Sequence, residues 1–230
     1  MLQTPLIPRR ALLGMALFLP TVATARPLFD TSRGGGLFSD VAMRQSPESS
    51  GLLHMYGDSE PELTPDMKLN PKTNQLFGLS KPLRLALRNA NTNELLQLDL
   101  ASRAPLDASQ KNQLNYFLRD WRQNDVVAMD GAVLQPFIEI CSAFATGGNQ
   151  VQATVTSGYR SRATNDMLRQ RNRNVAKNSL HVQARAIDFA LPGVPMSRLS
   201  EQAKRICQGG VGTYRTFLHI DSGPNRNWAV

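Results

Sequence analysis

Histidine and cysteine are scarce in this 230-residue chain, which holds three of the first and two of the second. The two cysteines, Cys141 and Cys207, are too few and too far apart for a zinc-finger site. An oxidising compartment would permit them to pair. Both sit in apolar, helix-like contexts ("FIEICSAF" and "AKRICQGG") where a buried free thiol is common, so they are read as unpaired. No run of twenty apolar residues occurs in the body of the chain, which excludes a membrane-spanning helix there. No basic helix and no RNP-type motif is present, which argues against nucleic acid as a partner. "GGVGTY" at 209–214 lacks a P-loop lysine, so phosphate binding has little support.

What the chain does have begins at its N-terminus. Arg9 and Arg10 precede the short apolar run "ALLGMALFL", and Ala23-Thr24-Ala25 forms an A-x-A cleavage site. The spacing predicts an export signal over residues 1–25. The paired arginines point to the twin-arginine route and to the periplasm; an ordinary secretory signal is the plainer alternative. The chain carries 26 basic and 18 acidic side chains, a net +8 that falls to +6 once Arg9 and Arg10 are removed. That excess suits either an anionic partner such as a wall polymer or simple solubility.

Residues 26–80 are rich in Gly, Ser, Pro, Asp and Asn, lack periodicity, and read as a low-order linker or arm. His54 lies in it and is assigned no role. Ordered structure is expected near Lys81 and onward, as one domain over 81–230. Leu83, Leu85 and Leu87, then Leu96, Leu98 and Leu100, alternate around "NANTNE", a β-hairpin pattern. Residues 109–122 place Leu114, Phe117, Leu118 and Trp121 on a helical stripe. Residues 130–145 continue as a second helix in which Pro136 predicts a kink or an early break. "VQATVTSGY" reads as a strand. A helix follows, with Ser161 or Thr164 as its cap. Then come the strand "ARAIDFAL", a helix with Ser197 or Ser200 as cap, a turn at "GGVGTY" and a last strand, "TFLHIDS". The whole is an α+β fold with a mostly antiparallel central sheet and flanking helices.

The chemistry concentrates in "SLHVQARAIDF". On one straight helix His181 and Asp188 would lie about 10 Å apart along the axis, whereas zinc holds its ligands at about 2 Å. The segment also lacks helical apolar periodicity. The workable arrangement is His181 on a loop folded back over the start of a strand that carries Asp188. If "TFLHIDS" pairs beside "AIDFAL", Asp188 and His219 face each other with Cβ atoms about 4.5–5.5 Å apart. Two histidines, a carboxylate and one open position make a catalytic rather than a structural zinc set. On spacing alone, two unrelated histidines, one capping a loop and one in a core, remain open.

"SGYRS" at 157–161, "SLHVQARAID" at 179–188 and "LHID" at 218–221 resemble the zinc D-alanyl-D-alanine peptidase and hedgehog-like superfamily, with its S-x-H-x-x-G-x-A-x-D signature and distant histidine. "LRDWR", "VAKNSLH", "GGVGTY" and "HIDSGPNRNW" are similar to its exported bacterial murein endopeptidase branch, over residues 81–230. The resemblance implies that His181, Asp188 and His219 bind zinc and that Arg160 steadies the substrate carbonyl or oxyanion. It also implies hydrolysis of a cross-link between peptidoglycan stem peptides. Two positions depart from the pattern. Ala184 stands at the usual glycine, which costs about 1 kcal/mol if the position needs positive φ. Thr216 and Phe217 stand where the superfamily has a His or Glu base.

Zinc lowers the pKa of its bound water towards ~7, providing hydroxide for attack on an amide. Arg160 is a donor that does not deprotonate. Asp221, two residues from His219, projects from the same strand face and either takes the water proton or orients the imidazole. Ser179 bonds substrate or pins the loop, and it lacks the context of a serine nucleophile. Tyr214 touches substrate, donates a proton or packs. Trp121 and Trp228 are read as packing anchors. A zinc D,D-carboxypeptidase or dipeptidase on the same stems, or a non-catalytic zinc-containing wall-binding module, are the alternative readings.

Overall fold

The computed structural model describes residues 60–64 and 66–229. The expected export signal, and the arm up to residue 59, lie outside the described residues. The first regular element is β1 (Leu83–Asn89), paired antiparallel with β2 (Leu95–Leu100) in the register Leu85↔Leu98 and Leu87↔Leu96. Leu83, Leu85, Leu87, Leu98 and Leu100 are buried and Leu96 packs against them, so alternation alone places this hairpin's core face. The turn is closed by Asn89, whose Oδ1 accepts from the Asn91 and Thr92 amides.

Helix α1 (Ala108–Phe117) begins with a capping box between Asp107 and Gln110. It ends earlier than the stripe of apolar residues predicts. The reason lies in the polar side chains that follow: Arg119 forks onto Glu94 at 2.8 and 3.1 Å, and Asp120 accepts from the amides of Arg122 and Ser161. These contacts hold residues 118–125 in turns. Helix α2 (Gly131–Ala143) is capped by Asp130 and runs on through Pro136, so the expected early break does not occur. The proline is the sixth residue of the helix, and the carbonyl it leaves without its usual donor belongs to the first turn.

Next come β3 (Gln150–Ser157), α3 (Arg162–Arg171, capped by Ser161), a 3₁₀ turn over Leu180–Gln183, β4 (Ala186–Ala190) and α4 (Met196–Ile206). Helix α4 starts at Pro195 with no side-chain cap, so neither Ser197 nor Ser200 serves. Strands β5 (Gly210–Thr213), β6 (Leu218–Asp221) and β7 (Arg226–Ala229) complete one seven-stranded sheet, in the order β2-β1-β3-β4-β6-β5-β7.

The sheet is mixed, which corrects the expectation of a mostly antiparallel one. Strands β1 and β3 run parallel, as do β5 and β7. The connection from β2 to β3 runs through α1 and α2, long enough to bring β3 back beside β1 in the same direction. "GGVGTY" is a strand rather than a turn. Its glycines permit close approach: a Cβ on Gly212 would sit 2.4 Å from the Trp228 ring, and one on Gly210 would sit 2.3 Å from Asp221 Oδ2.

The described residues of 60–80 contain no helix or strand, yet they pack on the domain. Leu76 and Leu79 are in the core, Arg185 Nη2 donates to the Asn70 carbonyl at 2.7 Å, and the Gly131 amide donates to the Thr73 carbonyl. In β4, Ile187 and Phe189 alternate with Asp188. Phe189 meets Phe137 of α2 edge-on at 4.9 Å, so the apolar pair faces the helices and Asp188 faces the opposite side of the sheet.

Candidate metal centre

Strands β4 and β6 pair antiparallel with Asp188 directly opposite His219. His181 comes from the 3₁₀ turn, whose N-cap is Ser179 and whose C-cap is Ala184 at φ 55°, ψ 42°. That left-handed residue reverses the chain into β4 and folds His181 back over Asp188. The Ala184 amide donates to the His181 carbonyl at 3.1 Å, which closes the turn. One donor atom from each of His181, Asp188 and His219 lies within 4.8 Å of the others. The three side chains are 0, 0 and 1 % exposed.

The hydrogen bonds around this trio fix where the lone pairs point. His181 Nδ1 is 2.7 Å from the Gly158 carbonyl oxygen, which only accepts. Nδ1 therefore carries the proton, and the buried Nε2 is a bare acceptor with no hydrogen-bond partner, 3.2 Å from Asp188 Oδ2. His219 repeats the pattern: Nε2 is 3.0 Å from Asp221 Oδ2 and Nδ1 is 2.8 Å from Asp188 Oδ1. In both rings the outward nitrogen is spoken for, and the inward one faces a carboxylate. Buried acceptors facing acceptors are unfavourable unless a cation or an extra proton lies between them. The donor set therefore fits a divalent ion of the zinc type, each imidazole being oriented by an outer acceptor.

Without an ion, protonation takes up the same tension. Burial would lower the His219 pKa, but its hydrogen bonds to Asp188 and Asp221 prevail and push it up to about 10. His181 is lowered, first by burial and then by the Arg160 charge. Burial opposes ionisation of Asp188, yet His181 and His219 hold its carboxyl well below the usual carboxylate range.

Arg160 is buried at the end of "SGYRS". Its Nε donates to Ser157 Oγ at 2.8 Å and its Nη2 to Asp188 Oδ2 at 3.1 Å, while its amide donates to the His181 carbonyl. Asp221 is fully engaged. Its Oδ1 accepts from the amides of Gly210 and Gly223 and from Arg226 Nη1, and its Oδ2 accepts from Arg226 Nη2 and His219. Despite burial, those contacts bring its pKa down to about 2. A carboxylate so saturated has every lone pair engaged, and its contact to His219 is the arrangement that orients an imidazole.

Ser179 is buried, accepts from the His181 amide and donates to Glu60 at 3.1 Å, the loop-pinning arrangement. Tyr214 is buried, stacked on Phe217 at 4.4 Å, with its hydroxyl accepting from Trp228 Nε1. The tyrosine thus belongs to a packed cluster. Three participants had no signal in the sequence: Arg226 on Asp221, the Gly158 carbonyl on His181, and Glu60 on Ser179. Trp228, read as a packing anchor, lies 5.3 Å from the His219 ring. Cys141 and Cys207 are buried and free, as expected.

A mixed α+β sheet with a buried, convergent His-Asp-His set is an arrangement that suits a metal-assisted hydrolase. The family described as peptidoglycan L,D-endopeptidase MepK matches residues 79–228. The chain belongs to that family, within the D-alanyl-D-alanine peptidase-like group that its motifs resemble. Among its relatives is a probable peptidoglycan L,D-endopeptidase MepK of Haemophilus influenzae, 39 % identical over 155 residues, which is 66 % of this chain and 82 % of the relative. The peptidoglycan L,D-endopeptidases MepK of Escherichia coli K12 and of Shigella flexneri are each 33 % identical over 150 residues, 64 % of this chain and 81 % of theirs. No solved structure matches the chain.

Proposed function

We propose that this chain is an exported, zinc-dependent peptidoglycan endopeptidase that cleaves an L,D amide in stem-peptide cross-links, the bond class for which its relatives are named. The observation that carries the reading is the pair of inward imidazole nitrogens, His181 Nε2 and His219 Nδ1, trained on the two oxygens of Asp188. Those three residues would hold the ion. Zinc bound there supplies Lewis acidity towards the scissile carbonyl and a water activated near neutral pH.

The chain's own groups do the rest. The Gly158 carbonyl and Asp221 hold the outer protons of His181 and His219, so both rings keep the ligating tautomer. Arg160, fixed by Ser157, orients Asp188 and brings a permanent positive charge to the centre, where an oxyanion develops. Burial strengthens that interaction by excluding water. Ser179 and Ala184 hold the turn that presents His181. Among the described residues no helix is long and apolar enough to cross a membrane. Residues 1–25 are the proposed twin-arginine export signal, delivering residues 81–230 as a periplasmic enzyme.

The test is digestion of crosslinked muropeptides with zinc-loaded and chelator-treated protein, with products identified by mass. Loss of crosslinked dimers only with metal is expected. Release of a single terminal D-alanine would mean a carboxypeptidase, and intact substrate despite bound zinc would mean a wall-binding module.

A further inference from the structure

We propose that the acidic segment around Glu60 and Glu62 is a built-in carboxylate ligand of the loop leading to His181, a strap that anionic stem peptides must displace. The inference rests on the endopeptidase reading for its substrate and on separate contacts for its geometry. Both oxygens of Glu62 accept from backbone amides, one from Lys177 and the other from Asn178 at 3.1 Å. Glu60 Oε1 accepts from Ser179 Oγ at 3.1 Å, and the Glu60 amide donates to the Asn174 carbonyl at 3.1 Å. Two successive amides gripping one carboxylate make a small anion nest, here two residues ahead of the serine that caps the His181 turn.

Three observations favour a displaceable strap over a structural one. First, the segment lies outside the residues 79–228 that match the family, so the family pattern does not include it. Second, it is held by a few hydrogen bonds to backbone amides and a hydroxyl: of residues 60–64 only Glu60 is buried, and its Oε2 has no hydrogen-bond partner. A buried carboxylate left half-satisfied is readily exchanged for a better one. Third, charge is complementary. Residues 162–177 carry Arg162, Arg169, Arg171, Arg173 and Lys177 against Asp166 alone, while the strap contributes Glu60, Glu62 and Asp66. With the ligands 0–1 % exposed, a substrate amide needs some part of this rim to yield.

The experiment uses the full chain, the variant Glu62→Gln, and Glu62→Ala as a second variant. Amide exchange at Lys177 and Asn178 should be slow in the wild type and fast in both variants. Affinity for an uncrosslinked stem tetrapeptide should rise about tenfold, the factor for a site occupied roughly nine-tenths of the time by its own strap. KM on crosslinked muropeptides should fall by the same factor with kcat unchanged. Amides equally fast in the wild type, or peptide affinity unchanged or weaker in the variants, overturns the strap. Failure of the chain to cleave peptidoglycan would overturn the endopeptidase reading instead, while the exchange and binding measurements would still judge the strap.

Discussion

Asp188 and His219 stand directly opposite each other on β4 and β6, with His219 Nδ1 2.8 Å from Asp188 Oδ1. The pair is too buried for either charge to be tolerated alone. His219→Ala should therefore abolish bound zinc and activity together. It should also destabilise the apoprotein by about 3 kcal/mol, because Asp188 and Asp221 lose the charge between them. Elemental analysis and urea unfolding under chelator check both parts; a variant that still binds one zinc would remove His219 from the centre.

Asp221→Asn should keep zinc and slow turnover. The amide retains an oxygen for the Gly210 and Gly223 amides but turns an NH₂ towards His219 or Arg226. Loss of an orienting partner typically costs about 10–100-fold in metal affinity or activity. Full activity in this variant would show that the contact does not matter to the reaction.

Alanine at a left-handed position invites the expectation that Ala184→Gly stabilises the fold. The magnitudes argue otherwise. Relief of the φ 55° strain is worth about 1–2 kcal/mol. Glycine's freer unfolded chain gives back about 0.4–1 kcal/mol, and the lost buried methyl about 0.8 kcal/mol. The net change should fall within about 1 kcal/mol of zero. Ala184→Val, branched and left-handed, should destabilise by about 2 kcal/mol or more. Denaturant midpoints at constant m-value decide.

The pH dependence of the apoprotein follows from two shifts of opposite sign. His219 is raised from 6.5 to about 10, so its contribution is complete below pH 6.5 and is lost as pH rises through 10. Asp221 is depressed from 3.8 to about 2, so its contribution is present above pH 3.8 and is lost as pH falls through 2. Unfolding free energy measured under chelator should fall at both ends of that range. Zinc must displace the His219 proton, so its affinity should climb between pH 6.5 and 10. Flat zinc affinity across that window would contradict the assignment of Nδ1 as ligand.

Replacing Arg9 and Arg10 by lysine should leave precursor inside the cell if export uses the twin-arginine route. Fractionation reads this directly, and normal periplasmic accumulation would point to the ordinary secretory route.

Much of the site was legible in the sequence. Apolar and polar residues alternate over "IDF" and "LHID", and pairing those strands puts Asp188 and His219 opposite each other. The same local rule gave the Leu83–Leu100 hairpin. Where local pattern met a distant partner, the reading failed. Glycines 210 and 212 signal a turn in isolation; they form a strand because Asp221 and Trp228 must approach them closely. The stripe ending at Trp121 is helical in period, but Glu94 and Ser161 capture Arg119 and Asp120 first.

The sequence alone determined the candidate donor set and its likeness to a family, because ligand chemistry depends on residue type and strand alternation on a two-residue period. Only the tertiary structure decided the mixed sheet, the saturation of Asp221 by Arg226 and two amides, and the docking of Glu60 on Ser179. Each of these joins residues through contacts across the fold that no local period records, and their strength comes from burial, which exists only once the chain has closed around them.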